Sequence, residues 1–232
     1  MTDRIPVMHN DIITEDFIAS MHDYAYLLNQ QYPRKAILKI IGDRYMLNAF
    51  QRILLNRGIF PDKAVHSRIE KTTDDITGGE IHIDAYNVLF TISNYLLGRI
   101  VFISNDLFLR DAGEVYGKLH KDPVFSRSLD LLVDYLCKMK PGRVEFYIDK
   151  PVSFSAELAR SVREILTQKG ISGGASLEKN PDAMLIRLNN GIAATSDSDI
   201  LDETDMPVTD LAHLVLKDRF SLNLPDLGSL LS

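Results

Sequence analysis

A single cysteine, Cys137, stands in a chain of 232 residues. One thiol excludes an intrachain disulfide and a cysteine-rich zinc centre. Its place in the periodic run LDLLVDYLCKM makes it a packing residue. Long apolar runs are missing as well: none approaches the length that spans a bilayer, and the first residues, MTDRIPVMHN, lack the apolar core of a secretory signal. A cytoplasmic protein without a membrane segment is expected. Positive charge is not in excess either. The formal net charge is −6, from 26 Lys and Arg against 32 Asp and Glu. That excludes a protein that coats nucleic acid by bulk charge, while leaving local basic surfaces open. Residues 1–76 hold ten charges of each sign, so the whole deficit falls in residues 77–232. There is no internal repeat and no low-complexity tract. The glycine-rich segment GISGGA has neither of the two phosphate-cradling spacings, G-x-x-x-x-G-K-[ST] and G-x-G-x-x-G, so a nucleotide cradle is not indicated.

A hydrophobic content of 45% is enough for a sizeable core. In the first seventy residues the apolar positions recur at helical spacing. Phe17, Ile18, Met21, Ala25 and Leu28 form one stripe, with Thr14 as its N-cap. Pro33 opens a second helix that ends at Gly42; Asp43 caps a third, which ends on Gly58 in a left-handed C′ position. The polar stretch Thr72 to Glu80, with its glycine pair, marks a boundary. We therefore expect a small helical domain over residues 1–75 and an α/β domain over 76–232. In the second part strand-like and helix-like segments alternate: EIHID, NVLFTISNYLL, RIVFIS, SLDLLVDYLCKM, RVEFYID, AELARSVREILTQ, GASLE, PDAMLIRL, then GIAATS as the last strand. That order predicts a mostly parallel, Rossmann-like sheet. The tail SLNLPDLGSLLS reads as an extended segment docked on this domain.

Ligands of open parallel sheets sit beyond the carboxyl ends of the strands. Asp84 ends the first strand, Asp149 ends VEFYID, and Asp197 and Asp199 follow GIAATS. Asp182 comes after Asn180 and Pro181, an N-cap and N1 pair. Four or five carboxylates in close quarters raise one another's pKa unless a cation compensates them. Mg²⁺ or Mn²⁺, which take oxygen ligands and share sites with phosphates, would do so. Each acid also has a structural reading. Asp84 can cap the next helix together with Asn87, Asp149 and Asp199 can serve turns, and Asp182 can favour the positive end of its own helix.

Taken in order, these segments resemble the NYN branch of the PIN-like nucleases. HIDAYNVL resembles the opening strand of that family, FYID its second acidic strand, KNPDAML its K-x-x-D helix start and ATSDSDIL its (S/T)-x-D-x-D strand end. Ala85 stands where the family carries glycine. The resemblance implies a PIN-like Rossmannoid fold and cleavage of RNA, or of DNA, with Mg²⁺ or Mn²⁺. Asp84, Asp149, Asp182 and Asp197 would be catalytic and metal ligands, and Asp199 a further ligand. The whole chain, including YPRKAILKIIGDRYMLN, also resembles a prokaryotic family labelled domain of unknown function 434. Residues 99–123 form an insert with Asp106, Arg110, Asp111 and Glu114, which would complete or modify the site. Asp106 and Arg110 are spaced for an intrahelical ion pair. His82 should lie at the surface or between elements. In the helical part Arg34, Lys35, Lys39, Arg44, Arg52 and Arg57 face one acid, Asp43. Arg34, Lys35, Lys39, Arg44 and Arg52 are candidates to track a nucleic-acid backbone, with Tyr32 and Tyr45 stacking on bases. The alternative is a solvated helical face.

Overall fold

A computed structural model describes residues 12–113 and 123–231. In chain order it has α1 (Glu15–Asn29), α2 (Arg34–Arg44), α3 (Ala49–Gly58), α4 (Asp62–Lys71), β1 (Glu80–Asp84), α5 (Ala85–Leu96), β2 (Val101–Ile103) and β3 (Leu109–Asp111). Then come α6 (Pro123–Met139), β4 (Arg143–Asp149), α7 (Ser155–Lys169), β5 (Gly173–Glu178), α8 (Pro181–Arg187), β6 (Ile192–Ala194), α9 (Ser198–Glu203), β7 (Val208–Thr209), α10 (Leu211–Arg219) and α11 (Leu227–Leu231). The chain divides into two compact units. One comprises Met1–Glu70, Gly98–Glu114 and Asn223–Ser232; the other comprises Lys71–Leu97 and Val115–Leu222. The hairpin and the tail, which a boundary at 75/76 assigns to the α/β part, thus group with the helices. Among the described residues no helix is long and apolar enough to cross a membrane.

The helical unit is built on part of the expected stripe. Phe17, Met21 and Leu28 of α1, together with Tyr24, are buried against Ile37 and Ile41 of α2 and Leu54 and Leu55 of α3, whereas Ile18 and Ala25 are only half-buried. Thr14 caps α1 by accepting the Phe17 N–H. Two glycines have roles other than those expected. Gly42 does not end α2, which runs to Arg44. It is the gap through which Arg52 passes, since a Cβ there would lie 2.0 Å from Arg52 Nη1. Gly58 is not left-handed but makes room for Leu227 and Phe102, whose atoms would meet an added Cβ at 2.5 and 2.8 Å. Nor does Asp43 cap α3. Asn48 does, in a capping box with Gln51, and Asp43 binds Lys39 and Arg52 instead.

RIVFIS is a strand, but not of the parallel sheet. Its residues Val101–Ile103 form β2, which pairs antiparallel with β3 in a separate two-stranded ribbon. Periodicity identifies a strand without choosing its partner. Asp106, in the turn, and Arg110, in β3, do pair, across the hairpin and not within a helix. The tail is also reassigned: Asp226 bridges to Ile103, and Leu227 of α11 enters the helical core. Asp106 is wholly buried, accepting from Arg68 Nη1 (2.7 Å) and from both terminal nitrogens of Arg110 (2.5 and 2.9 Å). The two guanidinium carbons lie 4.1 and 4.6 Å from the centre of the Phe60 ring.

The other unit holds a five-stranded sheet in the order β5-β4-β1-β6-β7, with every neighbouring pair parallel. Counting sheet strands along the chain, that order reads third, second, first, fourth, fifth. The direction of winding reverses between β1 and β6, which is where open α/β sheets place a ligand crevice. β7 extends the sheet beyond the strand expected to be last. Alternation gives the sheet two unlike faces. Ile81 and Ile83 align with Val144 and Phe146, and with Ile192 and Ala194, on an apolar face. The opposite face carries His82 beside Glu145, and Asp84 beside Tyr147. On that face Tyr147 packs with Leu185 of α8 and Ile200 of α9. His82 lies between elements, as expected, and is buried. Its Nε2 donates to the Asn190 carbonyl, leaving Nδ1 to accept from the Tyr147 hydroxyl, each at 3.1 Å.

Candidate functional site

Asp84 closes β1 and begins α5, so a residue pointing from the polar face becomes the N-cap of a helix. One carboxylate oxygen accepts the Asn87 N–H at 3.4 Å; the other accepts the Thr195 hydroxyl at 3.0 Å. Thr195 follows Ala194, the register partner of Ile83, so it stands in line with Asp84 on the same face. Its Oγ1 also accepts the Asp197 N–H at 3.1 Å. Asn87 completes the link, its Oδ1 taking both the N–H and the hydroxyl of Ser196 at 2.9 and 3.1 Å. Asp197 caps α9, accepting from the Asp199 and Ile200 N–H groups. The segments on either side of the switch point are therefore tied together by Thr195 and Asn87, with Asp84 on one side and Asp197 on the other.

The remaining acids are within electrostatic reach. Burial pushes the Asp84 carboxyl up to about 7; the Thr195 hydrogen bond works against this, and the charges of Asp182 and Asp197 add to it. Asp182 is also raised, by desolvation and then by Asp197, Asp149 and Asp199, so it couples to all four other acids. It sits in the first turn of α8, where Asn180 caps by accepting the Ala183 N–H and Pro181 takes N1, as its neighbours suggested. Asp149, at the end of β4, is raised by burial. All five predicted acids thus lie at one end of one sheet.

The donor set fits a hard divalent cation: every candidate ligand is a carboxylate, and the buried Asp84, raised first by desolvation and further by the charges of Asp182 and Asp197, is an acid whose ionised form a cation would favour. Among the described residues, however, no three His, Cys, Asp or Glu side chains close on a common point. The fit is to an ion held by one or two carboxylates and completed by water and substrate oxygens, not to an all-protein cage.

The insert residues fall elsewhere. Asp106, Arg110 and Asp111 belong to the helical unit, where Asp106 is engaged by Arg68 and Arg110 and Asp111 lies 3.9 Å from Arg57; Glu114 lies outside the described residues. Most of the basic tract is engaged locally. Arg34 donates to the Asn56 carbonyl and lies over Phe60, and Lys39 and Arg52 share Asp43. Arg44 stands 3.7 Å from Asp23, which also takes the Tyr45 hydroxyl, while Lys35 and Tyr32 are exposed.

Sequence reasoning missed three residues. Thr195 was visible as the first letter of the (S/T)-x-D pattern, but its part in holding Asp84 requires the register of β6 on β1. Glu178 ends β5 as the register partner of Asp149. Asp210 follows β7 and caps α10 by accepting the His213 N–H; a two-residue strand carries no alternation by which to find it.

Two family models match the chain. "Protein of unknown function (DUF434)" matches residues 16–71, and "Domain of unknown function (DUF5616)" matches residues 73–214. Uncharacterized protein MJ0935 of Methanocaldococcus jannaschii is 31% identical over 181 residues, which cover 77% of this chain and 86% of that protein. No solved structure matches. Since the second model covers more than half of the chain, the protein belongs to the DUF5616 family.

Proposed function

We propose that the α/β unit is a PIN-like, NYN-type Rossmannoid domain that cleaves phosphodiester bonds of RNA, or secondarily DNA, with Mg²⁺ or Mn²⁺. One observation carries this reading: Asp84 and Asp197 flank the switch point of a parallel sheet, linked through Thr195 and charge-coupled to Asp182. Asp84 and Asp197 would be the principal ligands, Asp149 and Asp182 ligands or water-positioning acids, and Asp199 an outer ligand. Held there, an ion would supply Lewis acidity to a phosphoryl oxygen and offset negative charge on the leaving oxygen. The chain's own groups set the stage for it. Thr195 and Asn87 fix the orientation of Asp84, and because burial holds its carboxyl up at about 7, binding of a cation would displace a proton from it near neutral pH. In the helical unit Arg34, Lys35, Lys39, Arg44 and Arg52 are the candidates for contact with the nucleic-acid backbone.

The test is cleavage of a panel of single-stranded and structured RNAs and DNAs by purified protein supplied with Mn²⁺ or Mg²⁺. Asp84→Asn and Asp197→Asn should each abolish it; cleavage that survives unchanged in both variants would sink the assignment. The open donor set supports a second reading, a non-catalytic nucleic-acid-binding module. That reading gains if the protein binds oligonucleotides yet shows neither cleavage nor stabilisation by Mn²⁺.

A further inference from the structure

Three of the five acids ride on two short helices, Asp182 in the first turn of α8 and Asp197 and Asp199 at the start of α9. With seven and six residues, neither helix is long enough to be stable by itself, so packing must hold both on the sheet. That packing has few side chains to work with. The buried residues of α8 are Pro181 and Leu185, and those of α9 are Ile200 and Leu201. Tyr147 of β4 meets one from each: its buried ring forms a cluster with Leu185 and Ile200, against which Ile186 and Leu188 also pack. A second hold on α8 runs through the same side chain. The Tyr147 hydroxyl donates to His82 Nδ1, and His82 Nε2 donates to the carbonyl of Asn190, in the turn that follows α8, each at 3.1 Å. That turn is fitted to the imidazole, since a Cβ on Gly191, whose φ is 89°, would lie 2.8 Å from His82 Nε2. α9 has an anchor of its own: Lys71 Nζ donates to the Leu201 and Thr204 carbonyls at its carboxyl end, at 2.6 and 2.9 Å. Tyr147 is also the register partner of Asp84.

We propose that Tyr147 is a positioning residue for the acidic site: its ring and hydroxyl together seat α8 on the sheet, so that Asp182 stands where it can share a divalent cation with Asp84. Tyr147 acts through Asp182 and touches no ion itself. Groups that orient a ligand in this way set metal affinity nearly as strongly as the ligands do. The proposal deepens the nuclease reading and rests on it for the cation.

Mn²⁺ binding, read from the electron paramagnetic resonance signal of the free ion, and amide hydrogen exchange of the metal-free protein test it. Tyr147→Leu should weaken Mn²⁺ binding on the order of tenfold, the usual effect of losing a group that orients a ligand. It should also speed exchange in α8 while leaving α7 unchanged. Tyr147→Phe keeps the ring and should recover most of the affinity. Leu185→Ala releases the same contact from the α8 side, so it should weaken binding in the same way, and it decides the matter if Tyr147→Leu does not fold. In an Asp182→Asn background Tyr147→Leu should have no further effect, whereas a general loosening of the fold would add to the loss. The proposal is overturned if Tyr147→Leu and Leu185→Ala bind Mn²⁺ as wild type does, if the loss persists undiminished beside Asp182→Asn, or if wild type binds no Mn²⁺. The expected pattern without cleavage of any oligonucleotide overturns the nuclease reading alone. Mn²⁺-dependent cleavage with unaltered Mn²⁺ affinity in both variants overturns the positioning role alone.

Discussion

Asp84 and Asp106 are both buried aspartates, one in each unit, and their surroundings drive them in opposite directions. Around Asp106 burial would raise the carboxyl, but Arg110, Ser104 and Arg68 outweigh it and hold it at about 2. Around Asp84 burial raises the carboxyl and the charges of Asp182 and Asp197 add to it; the Thr195 and Asn87 hydrogen bonds do not outweigh them, and the carboxyl climbs to about 7. The first arrangement is closed around its carboxylate: Arg68 of α4 and Arg110 of β3 both donate to it, and so does the Ser104 hydroxyl. The second leaves negative charge uncompensated at a crevice of the sheet. The first is a structural joint; the second is a buried carboxylate raised by desolvation and by like charges, the environment on which the proposed cation site rests.

The comparison breaks most visibly if the closed cluster proves dispensable. Asp106→Ala leaves Arg68 and Arg110 buried with their shared counter-ion gone, which should cost roughly 3–5 kcal/mol. Urea unfolding followed by circular dichroism measures this, and a loss under about 1 kcal/mol, within the range of surface substitutions, would show that the cluster is not a joint. The wild-type contribution has a defined acid limit. Asp106 releases its proton more readily when folded (about 2) than at its ordinary 3.8, so its stabilisation is complete above the ordinary value and is lost as pH falls from about 4 toward 2.

Asp84 should show the opposite sign. Its carboxyl holds a proton more tightly when folded, at about 7, than at the ordinary 3.8. The folded state therefore binds more protons between those values, and its stability falls as pH rises from about 4 to about 7. The penalty at pH 8 is on the order of 4 kcal/mol. Asp84→Asn should remove most of it, leaving a variant more stable than wild type at pH 8 and close to it at pH 5. Mn²⁺ at pH 8 should raise the melting temperature of wild type and leave that of Asp84→Asn unmoved. Identical pH profiles for the two proteins would remove the contrast between the two aspartates.

Much of this contrast was legible in residue order, and the parts that were not share a cause. The strand-end acids could be located because periodicity and turn chemistry mark where strands stop, and Asn180 and Pro181 announced the start of α8. Thr14 was readable as a cap for the same local reason. Partners were another matter. RIVFIS has the composition of a sheet strand, yet it pairs with β3 in the helical unit; nothing in a window of six residues records that choice. Gly42 looks like a helix stop until Arg52 is seen to need its missing side chain. Asp106 and Arg110 have helical spacing but face each other across a turn. Thr195 holds Asp84 over a separation of 111 residues. Local chemistry is written locally, whereas register and long-range pairing emerge from the packed chain.

The finest separation concerns Asp197, which is at once a helix cap and a member of the acidic set. Asn48 in the helical unit has the first role without the second, so it is the internal control. Asn48→Ala should cost about 1 kcal/mol, the usual worth of an N-cap, and leave any response to Mn²⁺ intact. Asn caps as well as Asp does, so Asp197→Asn should change stability by no more than about 0.5 kcal/mol. It nevertheless removes a negative charge that presses on Asp84 and Asp182. Asp84 in that variant should then titrate lower, and both the Mn²⁺-induced shift in melting temperature and the cleavage should fall away. Carbon-detected NMR titration of the Asp84 carboxyl, beside melting curves with and without Mn²⁺, resolves the two effects. A carboxyl at Asp84 that titrates unchanged, together with an undiminished Mn²⁺ shift, would make Asp197 a cap like Asn48 and reduce the acidic set to β1, β4 and α8.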